Sequence, residues 1–413
     1  MAKGGLDFVS KLLCLLIIGS AAHGVPITVI DNGPSSNRVD IVVMGDGYTS
    51  TDISNGIYSG HLSSSLDFML NPGSNQDPFY RYRKFFNAHR IDVISNESGA
   101  DSPPDGIFRD TALDASYYWD GSTERLLGID KAKANAVLNS QLVGTDITAE
   151  IKFVMVNDSR YGGSAGDYAV YAGGNSSTSE IALHEVAHSF SQLADEYDGY
   201  PGPHTGAEPP EINVTKDASG AKWSHWLGYD QPGVGVIGAY EGARYYDTGL
   251  YRPSLDSKMR SLGKLFNAVA REKIILDIYA LVDPIDSWLG NDSLVINPDF
   301  LWVDLVDASI LDVEWLVDNM PVVGAAGETF NLRDFGYGPG TYTVTSRAFD
   351  PTGFDPVNGW VRRSRSSLEQ SITWTVLVPE PATLALMGLG LTGIGYQRYR
   401  SKKAAQQEAK AHN

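Results

Sequence analysis

Residues Leu183 to Gly199, LHEVAHSFSQLADEYDG, constrain the chain more than any other stretch. Within them His184, Glu185 and His188 form H-E-x-x-H, a spacing that puts two imidazoles one helical turn apart on a common face. Two neutral imidazoles so placed can share one zinc ion, and Glu185, beside the first, can hold and deprotonate a water on that metal. That chemistry requires a helix. Ser176, Ser177, Thr178 and Ser179 offer N-caps, and Glu180 suits the first turn. Ile181, Leu183, Val186, Ala187, Phe190, Leu193 and Ala194 then recur at the three- and four-residue spacings of a buried helix. The plainer alternative is a core helix that happens to carry two histidines. With eight histidines in 413 residues, chance supplies the motif in roughly one chain in a hundred, which favours the metal reading.

The rest of the chain bounds its partners. A net charge of −18 argues against nucleic acid or an anionic membrane, both of which need a basic face. Lys3 and Lys11, the apolar run Leu12 to Ile18 and the small residues before Gly24 read as a signal peptide over residues 1–24. Its apolar core is too short for a stable membrane span, which needs about twenty residues. Cys14, the only cysteine, lies inside that core. The mature chain is therefore expected to lack disulfides and a thiol nucleophile, so metal ligands must be His, Asp or Glu.

Taken in order, residues 25–285 read as a mixed α/β (α+β) domain. Strands are expected at Ile27–Ile30, Arg38–Met44, Phe85–Ile94 and Ile151–Asn157, with helices at Asp52–Leu70, Glu124–Leu142 and Asn267–Leu281. Asn96 to Thr111 is a long loop, and Asp46 with Arg109 reads as a buried structural pair in preference to substrate contacts. The glycine loop Gly162–Gly166 is expected to lead into an extended edge segment, Tyr168–Ala172, along which a peptide could add as a strand. From 286 to 377 short alternating segments around Trp315 suggest an all-β immunoglobulin-like sandwich without chemistry of its own. Residues 378–413 open on Val378-Pro379-Glu380-Pro381, followed by an apolar run, Ala382–Tyr396, and a basic cluster. By its physics that tail is a marginal transmembrane segment.

A catalytic zinc normally takes three protein ligands, so one more is needed. Asp195, Glu196, His204, Glu208 and His225 are the candidates, although Pro209 and Pro210 make a helix at Glu208 implausible. Asp195 lies seven residues beyond His188, about 10 Å along an unbroken helix, so using it requires the helix to end near Phe190–Gln192 and fold back. Metzincins do this with a glycine three residues after the second histidine and a ligand three later. Ser191 and Ala194 occupy those places here.

Several segments resemble the IgA peptidase-type zinc metallopeptidases: Asn37-Arg38-Val39-Asp40 through Gly45-Asp46-Gly47-Tyr48, Phe85-Phe86-Asn87, Arg109-Asp110-Thr111, the HExxH with Leu193 and Asp195-Glu196-Tyr197, and Tyr251-Arg252-Pro253 with Met259-Arg260. The resemblance implies a metzincin-like fold, with Asp195 as third zinc ligand and Met259 in the turn beneath the metal. It does not bring IgA with it as substrate, since nothing in the sequence supports that. Tyr197 and Tyr251 are candidates to donate to a developing oxyanion, or are simply packed aromatics. The tail resembles the PEP-CTERM sorting signals of Gram-negative bacteria, which implies an exosortase as partner and a surface or matrix destination. The expectation is an exported zinc endopeptidase acting on protein or peptide, with Glu185 as general base. The alternative is a non-catalytic surface adhesin or matrix-binding protein that keeps the zinc helix as scaffold, against which the intact Glu185 counts.

Overall fold

The computed structural model describes residues 25–71 and 76–380. The expected signal peptide and the apolar run Ala382–Tyr396 lie outside the described residues. Among those described, no helix is long and apolar enough to cross a membrane.

Strand β2 (Val39–Asp46) is buried at all eight positions, as a strand covered on both faces must be. It pairs in parallel with β3 (Phe86–Ile91) on one side and β4 (Ile151–Val156) on the other. Strand β1 (Ile27–Ile30) adds antiparallel to β3, β6 (Ala169–Ala172) adds parallel to β4, and β5 (Gly163–Ala165) closes the far edge antiparallel to β6. The sheet order is β1-β3-β2-β4-β6-β5.

Alternation along β2 divides the core. Ile41 and Val43 join Leu62 and Leu66 of helix α2 (Ile57–Leu70) and Ile181, Ala182 and Val186 of helix α4 (Thr178–Ser189). Val42 and Met44 join Ala134, Val137 and Leu138 of helix α3 (Lys131–Leu142) on the opposite face. Each aliphatic side chain fully buried in this way contributes roughly 1.5–3 kcal/mol.

Three elements differ from expectation. The single helix expected at Asp52–Leu70 is broken into α1 (Ser50–Ser54) and α2, because Gly56 adopts φ 77° between them. The helix expected from Glu124 starts only at Lys131, where Asp130 caps the amides of Ala132 and Lys133. Residues 126–128 instead bridge to neighbouring extended chain, Leu126 opposite Gly163. The glycine loop itself is the edge strand β5, and the segment expected at the edge, now β6, is interior. Glycine is required there: a Cβ on Gly163 would lie 2.6 Å from Cγ2 of Ile181 and 3.1 Å from Oε1 of Glu185.

Residues beyond helix α5 (Ala268–Tyr279) form two sheets. One is three-stranded, with Leu301–Leu305 between Ile285–Trp288 and Thr329–Phe330. The other is five-stranded, centred on Gly340–Phe349, and its last strand, Glu369–Val378, runs to the start of the tail motif. Trp315 of the larger sheet stacks on Phe330 of the smaller at 5.1 Å and on Trp374 at 5.8 Å.

This β module is not a loosely tethered appendix. Its buried side chains continue the cluster beneath α4 without a break. Three cations of the α/β part reach three of its aspartates. Arg38 grips Asp286 with two bonds of 2.6 Å, Arg81 meets Asp350 at 2.9 Å and Lys84 meets Asp307 at 3.0 Å. Asp350 is fully buried and also accepts from the hydroxyls of Tyr82 (2.6 Å) and Tyr279 (3.0 Å).

Removing one partner of such a pair leaves buried donors unsatisfied, so Asp350→Ala is expected to cost about 3 kcal/mol. In a protein of this size that corresponds to a Tm lowered by roughly 3–4 °C in a thermal melt. An unchanged Tm would show that the contact contributes nothing to stability.

Candidate metal centre

Helix α4 is held at both ends. At its start the hydroxyl of Thr178 donates 2.7 Å to the carbonyl of Ala172 at the end of β6. In its first turn Glu180 takes the ammonium of the fully buried Lys258, which fixes the 257–260 turn against the helix. The carbonyl of Lys258 in turn accepts from Nδ1 of His184 at 3.0 Å.

At the other end the chain folds back without glycine. Gln192 takes the left-handed conformation, φ 52°, and its amide donates 3.0 Å to the carbonyl of His188. The amide of Leu193 donates 3.1 Å to Ala187, and the carbonyl of Leu193 accepts from Nδ1 of His188 at 2.5 Å. Such a left-handed closure satisfies the last helical carbonyls. Both imidazoles thus spend Nδ1–H on backbone carbonyls, which turns Nε2 of each toward the same point, where a bound cation would displace any proton.

Asp195 completes that point because the residues on either side of it are clamped. Asn213, fully buried, accepts from the Ala194 amide and donates to the Ala194 carbonyl, both at 2.9 Å. The amide of Glu196 donates 2.7 Å to the carbonyl of Met259. The Glu196 carboxylate is buried and accepts from Asn213, Asn267 and Ser257 at 2.6–3.0 Å, so it stands behind the centre as a strut. Tyr245 donates its hydroxyl to Oδ2 of Asp195 at 2.6 Å and leaves Oδ1 for the histidines.

Three donor atoms converge. Oδ1 of Asp195 lies 3.0 Å from Nε2 of His184 and 3.2 Å from Nε2 of His188, and the two nitrogens are 3.1 Å apart. This is the one group of three or more such ligands among the described residues. Tetrahedral zinc with bonds of about 2.0–2.1 Å spaces its donors about 3.3–3.4 Å apart, so the triangle fits after outward movement of a few tenths of an ångström. The donor set is also electrostatically primed for a cation. Burial opposes charge on His188, yet the bond and charge of Asp195 push its imidazole up to about 9. Burial of Asp195 is likewise outweighed by both histidines, which hold its carboxyl far below the usual range.

Glu185 lies on the same face of α4, and burial pushes its carboxyl up while the two imidazoles pull it down. The cleft in front of it has a volume of about 1050 Å³. Ile181, His184, Glu185 and His188 of α4 line one side, and Val269, Glu272, Lys273 and Leu276 of α5 line another at the same spacing. The β5 edge borders the cleft.

Other expected residues fall into place or out of it. Tyr197 lines the cleft and packs on Tyr245 with ring centres 5.0 Å apart, and burial raises its phenol to about 12. Tyr251 is outside the cleft lining, its backbone paired with Thr215. The rival ligands are engaged elsewhere: His204 with the Ala207 carbonyl, His225 with Glu272, and Glu208 with Lys222. Asp46 and Arg109 are not a pair. Asp46 is buried and accepts from Ser95, Thr111 and the amides of Leu113 and Ala115, whereas Arg109 faces Glu97 at 4.0 Å. Tyr245, Asn213 and Arg125 bear on the centre, and no motif or period in the sequence marks them.

A family model for IgA Peptidase M64 matches residues 27–236 and 230–278, which include His184, Glu185, His188, Asp195 and Met259. The PEP-CTERM protein-sorting motif matches residues 377–400. None of the curated proteins matches the chain.

Gln192 offers a test of the turn that delivers Asp195. A non-glycine residue in the left-handed region costs about 1–2 kcal/mol, against roughly 0.5–1 kcal/mol for the extra freedom of glycine in the unfolded chain. The Gln192 side chain is exposed, so Gln192→Gly loses no buried contact. It is expected to leave stability unchanged or raise it by up to about 1 kcal/mol in a denaturant titration. A clear loss of stability would mean that the turn is not under strain.

Proposed function

The chain belongs to the IgA Peptidase M64 family, and from that premise we propose that it is an exported zinc endopeptidase using Glu185 as general base. The observation that carries this reading is the triangle of His184 Nε2, His188 Nε2 and Asp195 Oδ1, all within 3.2 Å of one another, with Glu185 beside it on α4. These three residues would hold the ion. Zinc bound there supplies Lewis acidity, enough to bring the pKa of a coordinated water near 7.

The chain's own residues then have distinct tasks. Glu185 removes the proton from the attacking water and passes it to the departing amine, so one carboxylate serves as base and then acid. Burial raises its affinity for that proton, in keeping with the role. Tyr197, facing the cleft, is assigned as phenol donor to the oxyanion, and Tyr245 keeps Asp195 oriented. Tyr251, paired with Thr215 outside the cleft, is given no catalytic task. The peptide is assigned to the cleft beside β5, whose outer edge at Gly163 is already paired with the 125–127 segment. The immunoglobulin in the family's description is not carried over to this chain.

We read the α/β part as metzincin-like and the β module as immunoglobulin-like. The PEP-CTERM match supports export and surface sorting, with an exosortase-type enzyme acting on the tail.

Two substitutions separate base from ligand. Glu185→Ala should keep one zinc per chain while hydrolysis of an unbiased peptide library falls by about 10²–10⁴. Asp195→Ala should lose zinc affinity as well. Full hydrolysis by zinc-loaded Glu185→Ala would sink the general-base assignment, and undiminished zinc affinity in Asp195→Ala would move the third ligand elsewhere.

A further inference from the structure

Four carboxylates and four cations line the cleft, but they are not all paired with one another. Of its carboxylates, Glu185 and Asp195 belong to the centre, and Glu211 is paired with Arg244 at 3.2 Å. Glu272 is saturated by four donors: His225 Nε2 (2.6 Å), Trp226 Nε1 (2.8 Å) and the amides of Arg362 (2.6 Å) and Arg363 (3.0 Å). Of the cations, Arg260 faces Asp198 at 3.2 Å and Lys273 holds Asp277 at 2.5 and 2.7 Å. Arg125 and Arg363 are left. Neither makes an ion pair with a carboxylate among the described residues.

Both arginines are placed by the fold. Arg125 lines the cleft over the ring of Tyr197 at 6.0 Å, and that ring packs on Tyr245, the partner of Asp195. Arg363 belongs to the β module and lies outside both matched regions. Its Nε donates 2.8 Å to Nδ1 of His225, and its Nη2 to the carbonyl of Lys222. That leaves His225 to donate through Nε2 to Glu272, so Arg363, His225 and Glu272 form one directed chain. The neighbouring Arg362 anchors the loop, with its guanidinium 4.1 Å from the ring centre of Trp226 and 4.7 Å from that of Tyr229. The ion pairs at Asp286, Asp307 and Asp350 hold the module that carries this loop.

We propose that Arg125 and Arg363 select peptides bearing acidic side chains near the scissile bond, so that the β module supplies part of the substrate site. The proposal rests on the peptidase reading above and names its substrate class. A net charge of −18 does not oppose it, because exposed charges are largely screened beyond about 8 Å at physiological salt. A guanidinium at hydrogen-bonding distance acts well inside that range.

The test measures binding without turnover. Zinc-loaded Glu185→Gln protein is titrated with synthetic peptide pairs, identical except for Glu or Gln at one position flanking the scissile bond. The acidic member is expected to bind about tenfold tighter at the positions read, the size of one charge-assisted contact. Adding Arg363→Gln or Arg125→Gln should bring the ratio toward one at the position each reads. Adding Arg363→Glu should favour a Lys peptide over its Gln counterpart, which a purely structural arginine would not do. A ratio near one in the parent, or one that survives both glutamine substitutions, overturns the proposal. A loss confined to Arg125→Gln overturns the part given to the β module. Failure of the peptidase reading would appear separately, as absence of hydrolysis by the zinc-loaded wild type, and the binding ratios would still decide the acid preference.

Discussion

One carboxylate oxygen organises the centre: Oδ1 of Asp195, 3.0 Å from one imidazole nitrogen and 3.2 Å from another. Nothing in the helix delivers it, because seven further residues of α-helix would carry it about 10 Å away from His188. It arrives because α4 stops at Ser189, Gln192 accepts a left-handed backbone, and Asn213 and Met259 grip the chain on either side of residue 195. Tyr245 then fixes which oxygen turns inward. The strain at Gln192 is small beside what it secures, a donor triangle in which each imidazole is already held in one orientation.

The same economy extends outward. Lys258 offers its ammonium to Glu180 at the start of α4 and its carbonyl to His184 one turn later, so the turn carrying Met259 supports the helix and the His184 imidazole together. Gly163 supports by absence, since a side chain there would push against Ile181 and Glu185. Helix α5 closes the cleft opposite α4, and through Glu272 it also fastens the loop of the β module that brings Arg363 to the cleft wall. The β module, expected to have no chemistry, thus shapes the site as well as stabilising the fold.

Local features were legible in the sequence and non-local ones were not. The HExxH helix, β1, β2 and β4 follow from periodicity and apolar runs, which are properties of a few neighbouring residues. Asp195 was reachable through the family resemblance, whereas geometry alone left five ligand candidates open. The turn at Gln192 was foreseen as a necessity but not as a left-handed glutamine, because the conformation is imposed by tertiary clamps. Asn213, Tyr245 and Arg363 act across 19 to 138 residues of chain, Asn213 on Ala194 (19 apart), Tyr245 on Asp195 (50 apart) and Arg363 on His225 (138 apart), and no short motif encodes such contacts. Tyr251 stands out in the sequence because it sits in a recognisable Tyr-Arg-Pro stretch, whereas Tyr245 lies in no such motif. The edge strand was misplaced for a related reason: glycines read as a loop, yet here their lack of a side chain lets β5 lie against α4.

The proposed centre is defined by the three side chains that would surround the metal, His184, His188 and Asp195. X-ray absorption at the zinc edge of the mature protein tests this most directly, because it reports ligand type and distance without requiring a substrate. Two imidazole nitrogens and one carboxylate oxygen, with a further light ligand, all at about 2.0–2.1 Å, are predicted. A third imidazole in place of the carboxylate, or a protein that holds no zinc when supplied with it, would contradict the centre described.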